Sequence, residues 1–321
     1  FEYLGKMRFQ PTKLKRKTLI SSGAGENHMS YFPMAGRANF DFFLWYKLNY
    51  KRPTYGLNAI AKEWTGEAKI DFAYDRIGPA YNGSSAERAE MAAYCVQDCE
   101  LLRAIMERLQ TMTDQVEQSR VCRVVLERLN THGQSIKVNA QLDDMCTRLF
   151  DLGLVPLPFV LDNHFPGGRA AGEAKEEGEE RATFEGAFVV EPKRGYHVKF
   201  PVIVLDYGSL YPSLMIKHNM CKSTLVRRPE DASKPGVTTH DVGDGTVVCF
   251  AARAPGLMPM LLQDTLRARE QVKKQAKRLA AHRDELLAAG RGGDAEATAL
   301  LERYYVLDKR QLALKVSANS V

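Results

Sequence analysis

Asp206 ends the apolar run Val202-Ile203-Val204-Leu205, and the residues after it suit a metal ion and a phosphate. A carboxylate placed where a buried strand ends is held rigidly and emerges at a sheet edge. One carboxylate with a backbone carbonyl is a usual partial shell for magnesium, which keeps its other positions for water and substrate phosphates. Gly208 lets the chain turn closely, while Pro212 and Ser213 suit the start of a helix through Leu214, Met215 and Ile216. Such a turn leaves backbone N–H groups free to hold phosphate oxygens. A lone strand-end aspartate is more often structural or simply solvated, so the weight falls on the whole context from Asp206 to Ser213. A second candidate is the cationic stretch of Arg267, Arg269, Lys273, Lys274, Lys277, Arg278 and Arg283, opposed only by Glu270. It is either a phosphate-facing surface or a solvated helix with salt-bridging neighbours.

Periodicity and punctuation predict the elements that must hold these residues. The segment to about Asn27 is basic and irregular, with Lys13, Lys15, Arg16 and Lys17, and reads as a loop or a hairpin arm. Tyr31 to about Trp64 suits helices, with Phe40, Phe43, Leu44 and Leu48 spaced for one buried face. Asp75 to Ser85 reads as loop. A helix is expected from Ser85 to about Leu109, with Met91, Tyr94, Cys95, Leu102, Ile105, Met106 and Leu109 as its apolar positions. Gln115 to Leu129 and Asn139 to Leu152 read as helices, with a short strand over Ile136 to Val138. Gly167 to Glu180 is an acidic exposed loop, followed by strands over Ala187 to Glu191 and Val202 to Leu205. Asp231 to Phe250 suits turns and short strands. Two long helices close the chain, from about Pro259 to Ala289 and from about Ala295 onward. They are separated by Gly290, Gly292 and Gly293 and expected to form an antiparallel hairpin.

The 321 residues suffice for about two ordinary domains, and 45% hydrophobic with 26% charged residues is usual for a soluble globular protein. No apolar run approaches the roughly 20 residues of a membrane span, and the opening Phe-Glu-Tyr-Leu-Gly-Lys lacks the apolar core of a signal peptide. Six cysteines without a Cys-x-x-Cys pair argue against a zinc site or disulfide framework and for reduced thiols inside a cell. Cys95 and Cys99 are expected as small core residues of their helix. A net charge of +6 is mild and says little by itself about nucleic acid. The missing initial Met and the closing Ser-Ala-Asn-Ser-Val, in mid-pattern without a cap, are expected of a piece of a longer protein.

Asp206-Tyr-Gly-Ser-Leu-Tyr-Pro-Ser213, followed by His218-Asn-Met-Cys221 and Ser223-Thr-Leu225, resembles the first palm motif of family B DNA polymerases. It is most similar to delta-type replicative enzymes and those of large DNA viruses. The resemblance implies that Asp206 ligates both catalytic metals, with the Tyr207 carbonyl helping at one. It places N–H groups around Ser209 and Leu210 on a triphosphate. Tyr211 would stack under the sugar and exclude a 2'-hydroxyl; a core aromatic is the plainer alternative. Leu257-Met258-Pro259 with Arg267-Ala-Arg269 and Lys273 resembles the first fingers helix, and Leu307 to Ser320 the second. Arg269 and Lys273 are four apart and can reach one triphosphate from one face. Lys315 and Asn319 also share a face, the former implied on phosphates and the latter near the nascent base pair.

Tyr94-Cys-Val-Gln-Asp98 fits the third motif of the 3'-5' exonuclease domain of the same family, in which a tyrosine orients water and a carboxylate binds metal. Asn39-Phe-Asp41 is not read as the second such motif. Gly36-Arg37 and Tyr55 to Ile60 resemble the segment after it, so Asp41 is expected to be structural. Arg128, Gly133 to Lys137 and Glu191-Pro192 also match and are expected to pack, whereas Glu185-Gly186 would approach template DNA.

The expected fold class is therefore α+β or α/β and multidomain. The C-terminal part of a ribonuclease-H-like exonuclease domain (1–110) leads through connecting helices (111–200) to a palm of antiparallel sheet and helices (201–256). A two-helix antiparallel fingers hairpin (257–321) follows. The implied function is template-directed DNA polymerisation by two-metal phosphoryl transfer, with proofreading in the parent chain; the alternative is a nonenzymatic DNA-binding descendant. Asp206, Tyr211, Lys315, Tyr94 and Asp98 are the expected catalytic residues. Ser209, Leu210, Tyr211, Arg269, Lys273, Lys315 and Asn319 are the expected nucleotide contacts. The implied cofactor is Mg2+, two ions per polymerase site, with Mn2+ as a substitute. The implied partners are primer-template DNA and deoxynucleoside triphosphates, with room for a processivity factor and no membrane. The setting is the nucleus or a cytoplasmic viral replication site. By itself the chain is expected neither to polymerise nor to proofread, since each site lacks at least one carboxylate.

Overall fold

The basic segment near the start folds as an antiparallel hairpin. β1 (Lys15–Ser21) pairs with β2 (Gly25–Tyr31), setting Lys15 opposite Tyr31 and Ser21 opposite Gly25. The computed structural model describes residues 12–21, 25–34, 36–154, 190–196, 198–226, 232–241, 247–252 and 254–320. The chain divides into two compact units, Phe1–Met145 with Met260–Val321, and Cys146–Pro259.

In the first unit, α1 (Phe42–Asn49) starts at Asp41, whose carboxylate accepts the Leu44 N–H at 3.2 Å. Asp41 is thus a helix cap, which satisfies a backbone donor that the first turn would otherwise leave open. The buried face of α1 is Phe42, Leu44, Trp45 and Tyr46, whereas Phe43 and Leu48, expected inside, are 55% and 47% exposed. Two apolar stripes compete on this short helix, and the one carrying three of its aromatic rings has more area to bury. With α2 (Leu57–Trp64) it forms a core of Phe42, Trp45, Tyr46, Ile60, Ala61, Leu101, Ile105 and Leu109. Tyr46 stacks on Tyr50 at 4.8 Å and accepts the Trp64 indole N–H at 3.0 Å.

The segment expected as loop near residue 80 contains a 3-10 turn (Tyr74–Arg76) and α3 (Ile77–Asn82). Pro79 is compatible because it lies in the first turn, where no backbone N–H is required. α4 (Ser85–Arg108) opens with a capping box: Glu87 N–H donates to Ser84 Oγ at 3.3 Å, and Ser84 N–H to Glu87 Oε2 at 2.7 Å. Only Leu101 and Ile105 of this helix are buried, and Cys95 and Cys99 are exposed rather than core.

One expected helix divides into α5 (Thr111–Cys122) and α6 (Leu126–Thr131), broken at Arg123, which is left-handed with φ 57°. α7 (Gln134–Asp151) absorbs Ile136 to Val138, where a strand was expected. Val138, Gln141 and Met145 are all buried, which is a helical period, and three residues without a partner strand gain no ladder bonds.

In the second unit, α8 (Leu210–Lys217) is followed by β3 (Val237–Asp241) and β4 (Val247–Ala251), paired from Val237 opposite Ala251 to Asp241 opposite Val247. Val202 to Leu205, expected as a buried strand, has no regular secondary structure, pairs with nothing among the described residues, and is 70% to 90% exposed. An apolar strand is stabilised by neighbours on both edges and cover on both faces, and the described residues supply no such strand neighbour. Val190 and Glu191 are not in a strand either. The acidic 167–180 segment and the Glu185-Gly186 pair lie outside the described residues.

α9 (Leu257–Ala288) and α10 (Ala295–Ala318) are the two expected closing helices. Leu286 packs with Ala297 and Leu300, and further along Arg283 lies over Tyr304 at 5.7 Å. The pairings run in opposite chain directions, so the two helices form an antiparallel hairpin.

Candidate functional site

Asp206 sits at the end of this exposed segment, with no ion-pair or hydrogen-bond partner among the described residues. Three residues on, the chain bends sharply: Ser209 is left-handed, with φ 56° and ψ 58°, and it immediately precedes α8. A serine in that region costs about 1–2 kcal/mol. Its side chain does not cap the helix, so the first backbone N–H groups of α8 stay open; the first to bond is that of Ser213, to the Ser209 carbonyl at 3.0 Å. The Ser213 hydroxyl donates instead to the Gly208 carbonyl at 3.1 Å, closing the turn. Tyr211 is 70% exposed and Tyr207 77%, so neither is a core aromatic. Asp206, Tyr207, Ser209, Leu210 and Tyr211 thus share one turn that offers a free carboxylate, open N–H donors and an exposed ring.

The other end of α8, beyond Lys217, is anchored by a residue the sequence singled out only as a member of a motif. Asn219, left-handed with φ 50°, donates through Nδ2 to the Ala251 carbonyl at 2.6 Å and the Ala254 carbonyl at 2.8 Å. Its Oδ1 accepts the Gly256 N–H at 2.7 Å. Thr224 Oγ1 donates to the Asn219 carbonyl at 2.6 Å, and Leu257 N–H donates to Ser223 Oγ at 3.3 Å. Gly256 is required by space, since a Cβ there would stand 2.6 Å from Cys221 Cβ. His218 meets His240 edge-on at 4.7 Å, so α8 is tied to β3 as well.

In the other unit, Tyr94 and Asp98 lie one turn apart on α4, and Lys69 joins them. Its Nζ donates to the Tyr94 hydroxyl at 2.8 Å and lies 3.1 Å from Asp98 Oδ2. The ammonium also stands 4.7 Å from the Tyr94 ring centre, and Phe72 stacks on that ring at 5.3 Å. The Tyr94 hydroxyl and then Asp98 hold the Lys69 ammonium above its usual pKa. Asp98 Oδ1 is buried with no hydrogen-bond partner. Sequence reasoning missed Lys69, because nothing local marks a lysine 25 residues before its tyrosine.

The basic face of α9 is mixed. Lys274 pairs with Glu270 at 2.9 Å and Arg283 with Asp284 at 2.7 Å, the salt-bridged alternative. Lys273 is exposed and unpaired among the described residues, and the half-buried Arg269 has an Nε donor with no acceptor. On α10, Lys315 and Asn319 are both exposed, one turn apart.

No cluster of three or more His, Cys, Asp or Glu side chains placed to share a metal occurs among the described residues. The donors that are present suit a hard divalent ion with few protein ligands: the free Asp206 carboxylate, and the orphaned Asp98 Oδ1. No described helix is long and apolar enough to cross a membrane.

The fold is shared with the family B DNA polymerase of the hyperthermophilic archaeon Pyrobaculum calidifontis, with TM-score 0.56, 22% identity, and coverage of 90% of this chain and 32% of that one. The class is thus a helix-rich polymerase fold with small sheets. A model of DNA polymerase family B matches residues 109–321, and the chain belongs to that family. It is similar over its whole length to the DNA polymerase delta catalytic subunits of Glycine max (33% identity) and Bos taurus (34%), and spans 26% of each.

Proposed function

We propose that the chain belongs to a template-directed DNA polymerase that adds deoxynucleotides to a primer 3'-hydroxyl, with a proofreading 3'-5' exonuclease in the same protein. The observation that carries the reading is the turn from Asp206 to Tyr211, where a carboxylate and helix N–H groups without partners among the described residues stand together on an exposed edge. Family membership and the names of the delta-type relatives support it. Residues 1–110 are read as exonuclease, 201–256 as palm and 257–321 as fingers.

Asp206 and the Tyr207 carbonyl would hold Mg2+, as would Asp98 in the exonuclease. Held there, magnesium would supply positive charge that offsets the negative charge developing on phosphate oxygens. The N–H groups of Leu210 and Tyr211 point their dipoles at triphosphate oxygens. Arg269, Lys273 and Lys315 offset the charge that develops on the departing pyrophosphate. Asn319 lies against the nascent base pair, and the Tyr211 ring packs under the sugar and excludes a 2'-hydroxyl. In the exonuclease, Tyr94 orients the attacking water while Lys69 holds the Tyr94 hydroxyl and Asp98 in register. Glu185 and Gly186 approach the template.

The test is primer extension by the full-length protein with Mg2+. Asp206→Ala is expected to abolish extension while leaving primer-template binding intact, and retention of more than about one-thousandth of the rate would remove Asp206 from the site.

A further inference from the structure

Hydrophobic packing holds two helices together without fixing how either is rotated, because it is non-directional. The contact of α10 with α5 and α7 has directional bonds added to it. Ala313, Leu314, Ser317 and Ala318 form the buried stripe of α10. On that side Arg310 gives a two-pronged bond to Glu117 of α5: Nε to Oε2 at 2.6 Å and Nη2 to Oε1 at 3.3 Å. The Glu117 side chain is only 2% exposed, and Arg120 on its own helix holds Oε1 at 2.9 Å. Two turns further along α10, the Ser317 hydroxyl donates to Gln141 Oε1 of α7 at 2.8 Å, with both residues buried. Gln141 is itself held, its Nε2 donating to the Lys137 carbonyl at 2.9 Å.

A buried ion pair contributes little net stability over apolar residues of the same shape, so burial energy does not account for Glu117. What the fork and the amide do is set rotation at two heights on one helix. At about 100° per residue, Lys315 stands about 140° from Arg310 and Asn319 about 180° from it. Both functional side chains therefore lie on the face opposite the clamp, and both are exposed. A roll of about 20° moves a side-chain tip at the helix's outer radius by about 2 Å. Misplacements of about 1 Å can cost 10²-fold in a phosphoryl-transfer site.

We propose that Glu117 and Gln141 are positioning residues, setting the roll of α10 through Arg310 and Ser317 and so aiming Lys315 and Asn319 at a nucleoside triphosphate. The inference rests on the roles assigned above to Lys315 and Asn319.

Single-nucleotide incorporation by the full-length protein, followed before steady state, separates the nucleotide Kd from the rate of the chemical step. Glu117→Gln and Arg310→Met are each expected to raise the nucleotide Kd about tenfold with primer-template Kd close to wild type, and Arg310→Met to lower the melting temperature as well, since it leaves the buried Glu117 carboxylate to Arg120 alone. The double variant should be no worse than either single one, since both remove the same bond. Ser317→Ala should act in the same direction by a smaller factor, and it keeps the test open if a charge variant does not fold. On a Lys315→Ala background the same changes should raise the nucleotide Kd by a clearly smaller factor, the share that remains being that of Asn319. Two results overturn the inference: a nucleotide Kd within about twofold of wild type in both Arg310→Met and Ser317→Ala, or losses of nucleotide and DNA affinity that persist unchanged on the Lys315→Ala background. If Lys315→Ala itself leaves nucleotide binding intact, the role of Lys315 fails first and the inference falls with it.

Discussion

The Lys69 ammonium stands 3.1 Å from Asp98 Oδ2, and through its bond to Tyr94 it joins the two residues of α4 that the sequence marked for chemistry. Its folded-state pKa lies above the ordinary 10.5, owing first to the Tyr94 hydroxyl and then to Asp98. A lysine raised in this way adds stability that is complete below about 10.5 and is lost as pH rises through the folded value. Lys69→Met should therefore lose under about 1 kcal/mol at neutral pH, the pair being partly exposed and screened. The gap to wild type should close as pH climbs beyond about 10.5. Urea unfolding across that range measures it; parallel curves for the two proteins would leave the Lys69 contacts without energetic weight.

Asn219 makes three side-chain hydrogen bonds in a left-handed conformation that few residues other than Asn and Gly adopt. Asn219→Ala should cost about 2–4 kcal/mol in chemical denaturation, from the lost bonds and the unfavourable φ. Gly256→Ala should also destabilise, by about 1–3 kcal/mol, because the new methyl meets Cys221 Cβ at 2.6 Å rather than a movable side-chain tip. Variants that unfold at the wild-type midpoint would show that the C-terminal end of α8 is held elsewhere.

Burial, opposed to some extent by Lys309, the Gln118 amide, the Trp45 indole and Lys137, pushes the Asp114 carboxyl above its ordinary pKa. The folded state then binds a proton more tightly than the unfolded state, so this group takes stability away as pH rises from about 3.8 through its folded value. Asp114→Asn should remove that loss, so the variant gains on wild type across the window and keeps a constant advantage above it. Denaturation midpoints compared from pH 4 to 8 decide the matter, and an advantage that does not change with pH would contradict it.

Tyr211 is 70% exposed, so truncating it removes no core contact. In the full-length protein, Tyr211→Ala should raise ribonucleotide incorporation relative to deoxyribonucleotide by about tenfold or more, with little change in folding stability. An unchanged ribose preference would withdraw the steric role.

Much of the local structure was legible from the sequence. The start of α4 was read at Ser85 with Glu87 following, one residue after the Ser84 cap, and the glycines at 290, 292 and 293 separate a pair of helices whose own periods are regular. The competing stripes of α1 were not resolvable by spacing, because Phe43 and Phe42 fit a helical face equally well until α2 and α4 cover one of them. The run Val202 to Leu205 reads as a strand by composition, yet a strand is a property of two chains of backbone, and no partner for it occurs among the described residues.

By itself the sequence determined the features that a few neighbouring residues can encode: caps, helix periods, and the turn with its carboxylate at Asp206. Tertiary structure alone decided which distant groups meet. Lys69 reaches Asp98, Asn219 reaches Gly256, and Arg310 reaches Glu117 across 193 positions of chain. Such contacts are chosen by which apolar faces pack and which loops can close over them. The partners of a buried or half-buried charge therefore carry no signature in the residues beside it.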